Sequence, residues 1–148
     1  MLRLKTGLFG CLLLFVSTLT HATLNEAIDA YANKDYQTAY TLFLPLAEVG
    51  NPYAQYGLAK MYTAGEVKWA DDFSITENAK QNDVKAFSWY QKAANQDYGI
   101  AQNNLGLLYE EGKGTPKDIN QAKRWFTLAC DNRCSEGCKN LQRLEFEE

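Results

Sequence analysis

Three cysteines near one end of the sequence carry its most reactive side chains. Cys130, Cys134 and Cys138 follow one another at intervals of four residues. Thiolates at such spacing can bind a soft metal ion, and two of them can instead form a disulfide. A structural zinc site takes four ligands, but this region lacks a fourth cysteine or a histidine. The cysteines therefore predict a disulfide with one thiol left over, and no metal site.

Residue types that serve enzymes are sparse or badly placed in this chain. The one histidine, His21, lies in a segment that we expect to be cleaved off, so Ser–His and Cys–His nucleophile pairs lack their base. No serine is followed three residues later by a lysine. Glu110 and Glu111 are neighbours on a predicted helix, where side chains diverge by about 100° and cannot act on one bond. We predict no catalytic residue and no cofactor.

Length and charge narrow the possible partners. The chain has 148 residues, with 15 basic and 18 acidic side chains and a net charge of -3. This length favours a single domain, and the acidic balance does not favour binding to nucleic acids or anionic membranes. We therefore expect no nucleic-acid binding.

The first 22 residues have the pattern of a secretory signal peptide. Arg3 and Lys5 precede an apolar run over residues 8–19, and small residues occupy the two positions that signal peptidase reads. About 12 apolar residues are too few to span a bilayer, which takes roughly 20. We predict cleavage after Ala22, a periplasmic or secreted location, and no stable membrane insertion. Cleavage removes two basic residues and no acid, which leaves a net charge of -5.

The remaining sequence contains an internal repeat. Residues 39–47 align with residues 86–94 at an offset of 47, and a third copy begins at Ala122, a further 36 residues on. A basic period of 36 leaves 11 extra residues between Gly65 and Ala86. Each copy carries apolar residues at helical spacing in two successive segments. The pattern predicts helix pairs that bury their apolar faces only by stacking on one another.

Seven helices are expected from this spacing and from capping residues at the helix starts. Asn51 followed by Pro52 marks one start, and Asp118 with Gln121 has the spacing of a capping box. The predicted helices span residues 24–32, 36–48, 52–64, 83–95, 99–111, 119–131 and 136–146. They predict an all-α fold, a short solenoid of about three stacked helix pairs with the first helix as an N-terminal cap.

The repeated residues resemble a known family. Residues 86–94 read Ala-x-x-Trp-Tyr-x-x-Ala-Ala, and residues 101–114 read Ala-Gln-x-x-Leu-Gly-x-x-Tyr-x-x-Gly-x-Gly. This pattern resembles the Sel-one-like repeat, a relative of the tetratricopeptide repeat, and it covers nearly all of residues 23–148. The resemblance implies a right-handed α-solenoid that binds proteins. It divides the chain into repeats at 36–65, 83–114 and 119–146, with an insertion at 66–82.

The repeat alignment suggests partners for two of the cysteines. Cys130 aligns with Ala94 near the end of a first helix, and Cys138 aligns with Gln102 near the start of a second helix. These positions should face each other across a turn, and an exported chain meets an oxidising compartment. The same eight-residue spacing resembles the cysteine-rich branch of the family, in which each helix pair is stapled in this way. We predict a Cys130–Cys138 disulfide and a free or intermolecularly bridged thiol at Cys134.

Two groups of residues are candidates for partner binding. The insertion carries Trp69 and Phe73 in a segment expected to be a surface loop, and exposed aromatics often anchor interfaces. The alternative is that both rings fold back onto the first or second helix pair. The second group comprises polar positions of the helix at 83–95 on the inner surface of the solenoid: Lys85, Ser88, Gln91 and Lys92.

Three functions are compatible with these observations. The first is an exported, non-catalytic protein-binding module, either a periplasmic adaptor or an immunity-type inhibitor of a toxic enzyme. The second is a cell-wall or β-lactam hydrolase, an activity linked to some cysteine-rich relatives. The third is a secreted factor that acts on a host. The lack of histidine after residue 22 favours the first function.

Overall fold

Apolar residues at helical spacing form seven α-helices in the computed structural model, which describes residues 23–67 and 75–146. Helix α1 covers residues 23–32. The others are α2 (Tyr36–Glu48), α3 (Pro52–Thr63), α4 (Ile75–Ala94), α5 (Gly99–Glu111), α6 (Ile119–Asp131) and α7 (Ser135–Phe146). No strand occurs in the two described ranges. The all-α prediction is confirmed over these ranges.

The helix starts agree with the capping residues of the sequence. Asp35, Asn51 and Asp118 each precede a helix and accept a hydrogen bond from the backbone N–H three residues on, at 3.0–3.2 Å. Pro52 occupies the first position of α3, where a missing N–H removes no intrahelical bond. A cap of this kind contributes about 1 kcal/mol, so the starts of α2, α3 and α6 are locally specified.

Helix α4 is longer than predicted. It begins at Ile75, eight residues before the predicted start, so residues 75–82 of the insertion are helical and not loop. This stretch has no glycine or proline and is rich in residues that favour helices. The repeat pattern missed the earlier start because the extra turns precede the repeated residues. Trp69, Phe73 and the predicted signal peptide at residues 1–22 lie outside the described residues.

The helices stack in chain order. Each of α2 to α6 packs against the next helix, and α7 also contacts α5. Between α7 and α5, the Arg143 guanidinium donates to the Glu110 carboxylate at 2.8 Å. The Asn140 amide donates to the Asn103 side-chain oxygen, also at 2.8 Å. The larger contacts thus join each helix to its near neighbours, as expected of a solenoid.

Equivalent positions of the three repeats build the core. The first helix of each pair buries an alanine and, one turn later, an aromatic ring. These pairs are Ala39 with Phe43, Ala86 with Tyr90, and Ala122 with Phe126. Burial of each ring contributes about 1.5–3 kcal/mol. The repeat register of the sequence therefore also describes the packing.

Each helix pair turns through one residue with a left-handed backbone. Gly50, Asp97 and Arg133 hold this position, with φ angles of 98°, 59° and 64°. Glycine adopts such angles freely, whereas a residue with a side chain loses roughly 1–2 kcal/mol there. The geometry of the turn therefore overrides residue preference in the second and third pairs.

Candidate functional site

A covalent bond joins α6 to α7, the last helix pair of the described residues. Cys130 near the end of α6 and Cys138 in the first turn of α7 form a disulfide, with their Cα atoms 4.6 Å apart. Gly137 permits this close approach, because a methyl group at its position would lie 2.5 Å from the Ala129 side chain. The structure thus contains the disulfide that was predicted between these residues.

The disulfide occupies the place of a hydrogen bond in the other two pairs. The Gln55 side-chain amide donates to the Ala47 carbonyl at 3.0 Å, and the Gln102 amide donates to the Ala94 carbonyl at 3.1 Å. Each bond joins residues that are eight apart in sequence, as the disulfide does. The repeat offsets place all three links at the same position of their pairs.

Each buried glutamine also connects its helix pair to the following one. The Gln55 side-chain oxygen accepts from the Gln96 amide at 2.8 Å, and the Gln102 oxygen accepts from the Asn132 amide at 2.9 Å. Gln96 and Asn132 lie in the turns of the second and third pairs. A disulfide holds its own pair together but offers no oxygen to a further pair.

Cys134 carries the thiol that is outside the disulfide. The residue is buried and directly precedes α7. Its thiol donates to a carboxylate oxygen of Glu136 at 3.7 Å. Hydrogen bonds from its own backbone N–H and from the Ser135 hydroxyl lower the pKa of Glu136. The thiol is therefore enclosed by the protein, with a carboxylate as its hydrogen-bond partner.

The polar residues predicted for partner binding lie in the second half of α4. Lys85, Ser88 and Lys92 are spaced by three and four residues, so they share one helix face, and Gln91 lies beside them. Ser88 and Lys92 are exposed, whereas Lys85 and Gln91 are half-buried. The structure therefore presents this group as one surface of the helix.

Aromatic rings lie under both lysines of this surface. The Lys85 ammonium is 5.3 Å from the centroid of the Tyr62 ring, and the Lys92 ammonium is 4.0 Å from the Trp89 ring. Such cation–π contacts contribute about 0.5–1 kcal/mol at exposed sites. They restrain the lysine side chains while leaving positive charge at the surface.

Helix α6 has exposed residues at the equivalent positions. At the repeat offset of 36, Ser88 corresponds to Arg124 and Lys92 to Leu128, and both residues of α6 are exposed. Sequence reasoning missed them, although the offset could have identified them. We define the α4–α6 face by Lys85, Ser88, Gln91, Lys92, Arg124 and Leu128. In the described part of the chain, neither Lys92 nor Arg124 forms a salt bridge.

A second concave feature lies between α1, α2 and α3. It is a half-open cleft of about 200 Å³, lined by Ile28, Tyr31, Phe43, Tyr53, Tyr56, Gly57 and Lys60. The Lys60 ammonium lies 5.2 Å from the Tyr31 ring centroid and 6.0 Å from that of Tyr56. We refer to it as the α1–α3 cleft. The repeat pattern did not reveal it, because it depends on how three helices pack.

The environment of Tyr31 shows how apolar and acidic neighbours meet at this cleft. Burial and the nearby Glu66 carboxylate raise the pKa of Tyr31 to about 12. Burial disfavours the phenolate, and the negative charge of Glu66 disfavours it further. Tyr31 therefore stays neutral and acts as a hydrogen-bond donor over the physiological range.

Within residues 23–67 and 75–146, no group of three or more histidine, cysteine, aspartate or glutamate side chains is placed to hold a metal ion. In the same ranges, no helix combines the length and apolar character needed to cross a membrane.

The chain is similar to proteins built from one kind of repeat. The family model described as Sel1 repeat matches residues 52–74, 76–98 and 99–134, more than half of the chain. A Sel1 repeat protein from Oxalobacter formigenes superposes with a TM-score of 0.68 at 30% identity, over 84% of this chain and 46% of that one. Protective antigen c5321 of uropathogenic Escherichia coli, which displays an SLR fold, superposes with a TM-score of 0.72 at 26% identity. The match covers 87% of this chain and 26% of that one.

Curated relatives match over shorter stretches of their own length. The rat (Rattus norvegicus) DAP3-binding cell death enhancer 1 is 50% identical over 54 residues, which are 36% of this chain and 11% of that protein. The chitin synthase regulator SKT5 of Saccharomyces cerevisiae is 27% identical over 121 residues, or 82% of this chain and 16% of that protein. The chain thus spans only a small part of these relatives.

Proposed function

The chain belongs to the Sel1 repeat family, and from that premise we propose that it is an exported, non-catalytic module that binds another protein. Sel1 repeat proteins mediate protein–protein interactions. Two similar proteins carry names of the same kind, one a binding protein of DAP3 and one a regulator of chitin synthase. The observation that carries the proposal is the α4–α6 face, with its restrained lysines and its exposed arginine.

The charge of this face indicates the chemistry of the partner. Lys85, Lys92 and Arg124 are three of the six residues that define the face, although the whole chain has a net charge of -3. Complementary charge speeds association and selects among partners. We therefore propose that the face accepts an acidic segment of the partner, and that Ser88 and Gln91 supply hydrogen bonds.

The insertion supplies a further contact in this proposal. Trp69 and Phe73 are the large aromatics of the segment between α3 and α4, and aromatic side chains dominate the energy of many interfaces. The proposal assigns them to the partner contact. Both versions of the function, a periplasmic adaptor and an immunity-type inhibitor, use this surface in the same way.

Export is part of the proposal. Residues 1–22 have the composition of a signal peptide, with cleavage proposed after Ala22. The Cys130–Cys138 disulfide supports this location, because such bonds persist in oxidising compartments.

A pull-down with matched charge variants tests the proposal. The full chain is expressed with its N-terminal segment in a bacterial host, and periplasmic proteins that bind it in stoichiometric amounts are identified by mass spectrometry. We expect the double variant Lys85→Glu/Lys92→Glu to lose the partner. The control Lys117→Glu/Lys139→Glu makes the same change in net charge at exposed sites outside the face, and it should retain the partner.

Two results would contradict the proposal. One is a partner that binds both double variants equally, since the face would then play no part. The other is turnover of a cell-wall peptide or a β-lactam by the purified protein that is lost when a single carboxylate is replaced. That second result would establish the hydrolase function in place of the binding function.

A further inference from the structure

One aromatic side chain lies almost fully exposed at the end of α7. Phe146 keeps 82% of its surface accessible, so it contributes little to the stability of its own fold. Glu145 precedes it and Glu147 follows it in the sequence. A ring in this position gains free energy when another surface removes it from water.

The α1–α3 cleft has the size and lining to take such a ring. Its volume is about 200 Å³, and its wall consists mainly of aromatic and aliphatic groups. A dry apolar cavity of roughly 150 Å³ is already large enough to bind benzene. Ile28 and Tyr53 line the cleft and are themselves exposed, so a ring can enter from solvent.

The positive charge of Lys60 at the cleft is opposite to that of the glutamates on either side of Phe146. Lys60 is the one charged residue of the lining, and its ammonium lies near the Tyr31 and Tyr56 rings. The Glu66 carboxylate lies beside Tyr31 and is not part of the lining. In the described part of the chain, Lys60 forms no salt bridge. A carboxylate beside the inserted ring, such as that of Glu145, would meet this ammonium.

The two features lie at opposite ends of the stack. The cleft involves the first three helices, whereas α7 packs on α5 and α6. In the described residues α7 packs on α5 and α6 and not on the helices that line the cleft, so the cleft is assigned to a second copy. We propose that Phe146 of one copy inserts into the α1–α3 cleft of a second copy, with Glu145 pairing with Lys60. The contact is head to tail, so it can add further copies in a row.

Sedimentation of the full chain tests this self-association. The protein is expressed with its own N-terminal segment in a bacterial host and used as isolated, from about 10 µM to about 1 mM. The average mass of the parent protein should rise with concentration, because one inserted ring gives a weak, reversible contact. Phe146→Ala should lower the association constant at least tenfold. Val49→Ala is the control, since Val49 is 80% exposed and lies in the turn between α2 and α3.

A synthetic peptide of residues 142–148 identifies the surface that is bound. NMR titration should shift signals of Tyr31 and Tyr53, and a peptide carrying Phe146→Ala should bind at least tenfold more weakly. Lys60→Glu in the protein should weaken binding of the parent peptide. A peptide carrying Glu145→Lys should restore binding to that variant.

Three outcomes would overturn the inference. The parent protein could remain monomeric over the whole concentration range, which excludes the contact. Association could persist unchanged in Phe146→Ala, which assigns it to other residues. The peptide could shift signals of the α4–α6 face in place of the cleft, which assigns the acidic segment to the surface proposed for a different partner. Phe146 is exposed, so its variant keeps the fold, as thermal unfolding should show.

Discussion

At the scale of single residues, Arg133 holds a backbone conformation that its equivalent in the first pair adopts without strain. Its φ angle is 64°, and Gly50 occupies the same position of the first turn. We predict that Arg133→Gly raises the free energy of unfolding by about 0.5–1 kcal/mol, because relief of the left-handed strain exceeds the added freedom of the unfolded chain. Urea denaturation measures the change.

An arginine-to-glycine substitution inside a helix should have the opposite effect on the free energy of unfolding. Arg124 lies in the interior of α6, and Arg124→Gly should lower the free energy of unfolding by about 1 kcal/mol. If Arg133→Gly also destabilised the protein, the Arg133 side chain would have a stabilising role that exceeds its backbone strain.

The raised pKa of Tyr31 makes the stability of the folded chain depend on pH in the alkaline range. Burial and Glu66 raise its pKa in the folded chain from 10.0 to about 12. A group whose pKa is raised by folding stabilises the folded state below its unfolded pKa, and the contribution is lost as pH rises from about 10 to about 12. We predict that the stability of the parent protein relative to Tyr31→Phe declines over this interval. Urea denaturation at several pH values tests this, and an unchanged difference would contradict it.

At the scale of helix pairs, the two helices of each pair are linked at one equivalent position. The link is a hydrogen bond in the first two pairs and a disulfide in the third. Gln55 and Gln102 bond to the first helix of their own pairs, and Cys138 bonds to Cys130 at the equivalent place. Closing so short a loop stabilises by roughly 2–3 kcal/mol in the chain-entropy model. We predict a loss of this size in Cys130→Ala/Cys138→Ala, measured by urea denaturation.

The repeat itself provides the matched variant for that experiment. Cys130→Ala/Cys138→Gln gives the third pair the residues that Ala94 and Gln102 supply in the second pair. Its free energy of unfolding should exceed that of the double alanine variant by about 1 kcal/mol, because a glutamine at position 138 can donate to the carbonyl of residue 130. Equal stability of the two variants would show that the third pair does not share the geometry of the others.

Helix boundaries show what could be predicted from the sequence and what could not. The starts of α3 and α6 followed from capping residues, which act within one turn of the chain. The start of α4 could not be predicted in this way. Residues 75–82 lie outside the repeat, so they show no repeat period, and they contain no glycine or proline that would mark a boundary. The α1–α3 cleft also needed the packed stack, since it arises between helices, whereas the repeat offset alone could have identified Arg124.

At the scale of the whole molecule, the chain is a stack with chemically different surfaces. The α4–α6 face is cationic, the α1–α3 cleft is apolar and aromatic, and the disulfide locks the last described helix pair. In a solenoid each repeat packs mainly against its neighbours, so a substitution on one surface can leave the other repeats folded. This independence lets charge variants of the face report on binding alone.

The most direct test of the binding proposal is photo-crosslinking in living cells. A photoreactive phenylalanine analogue replaces Ser88 in the full chain, and in a matched control it replaces Lys139 on α7. We predict a discrete higher-mass product from the Ser88 variant, which contains a second protein, and no such product from the control. The product should disappear when Lys85→Glu/Lys92→Glu is added. Absence of a product at Ser88, or the same product at both sites, would contradict binding through the α4–α6 face.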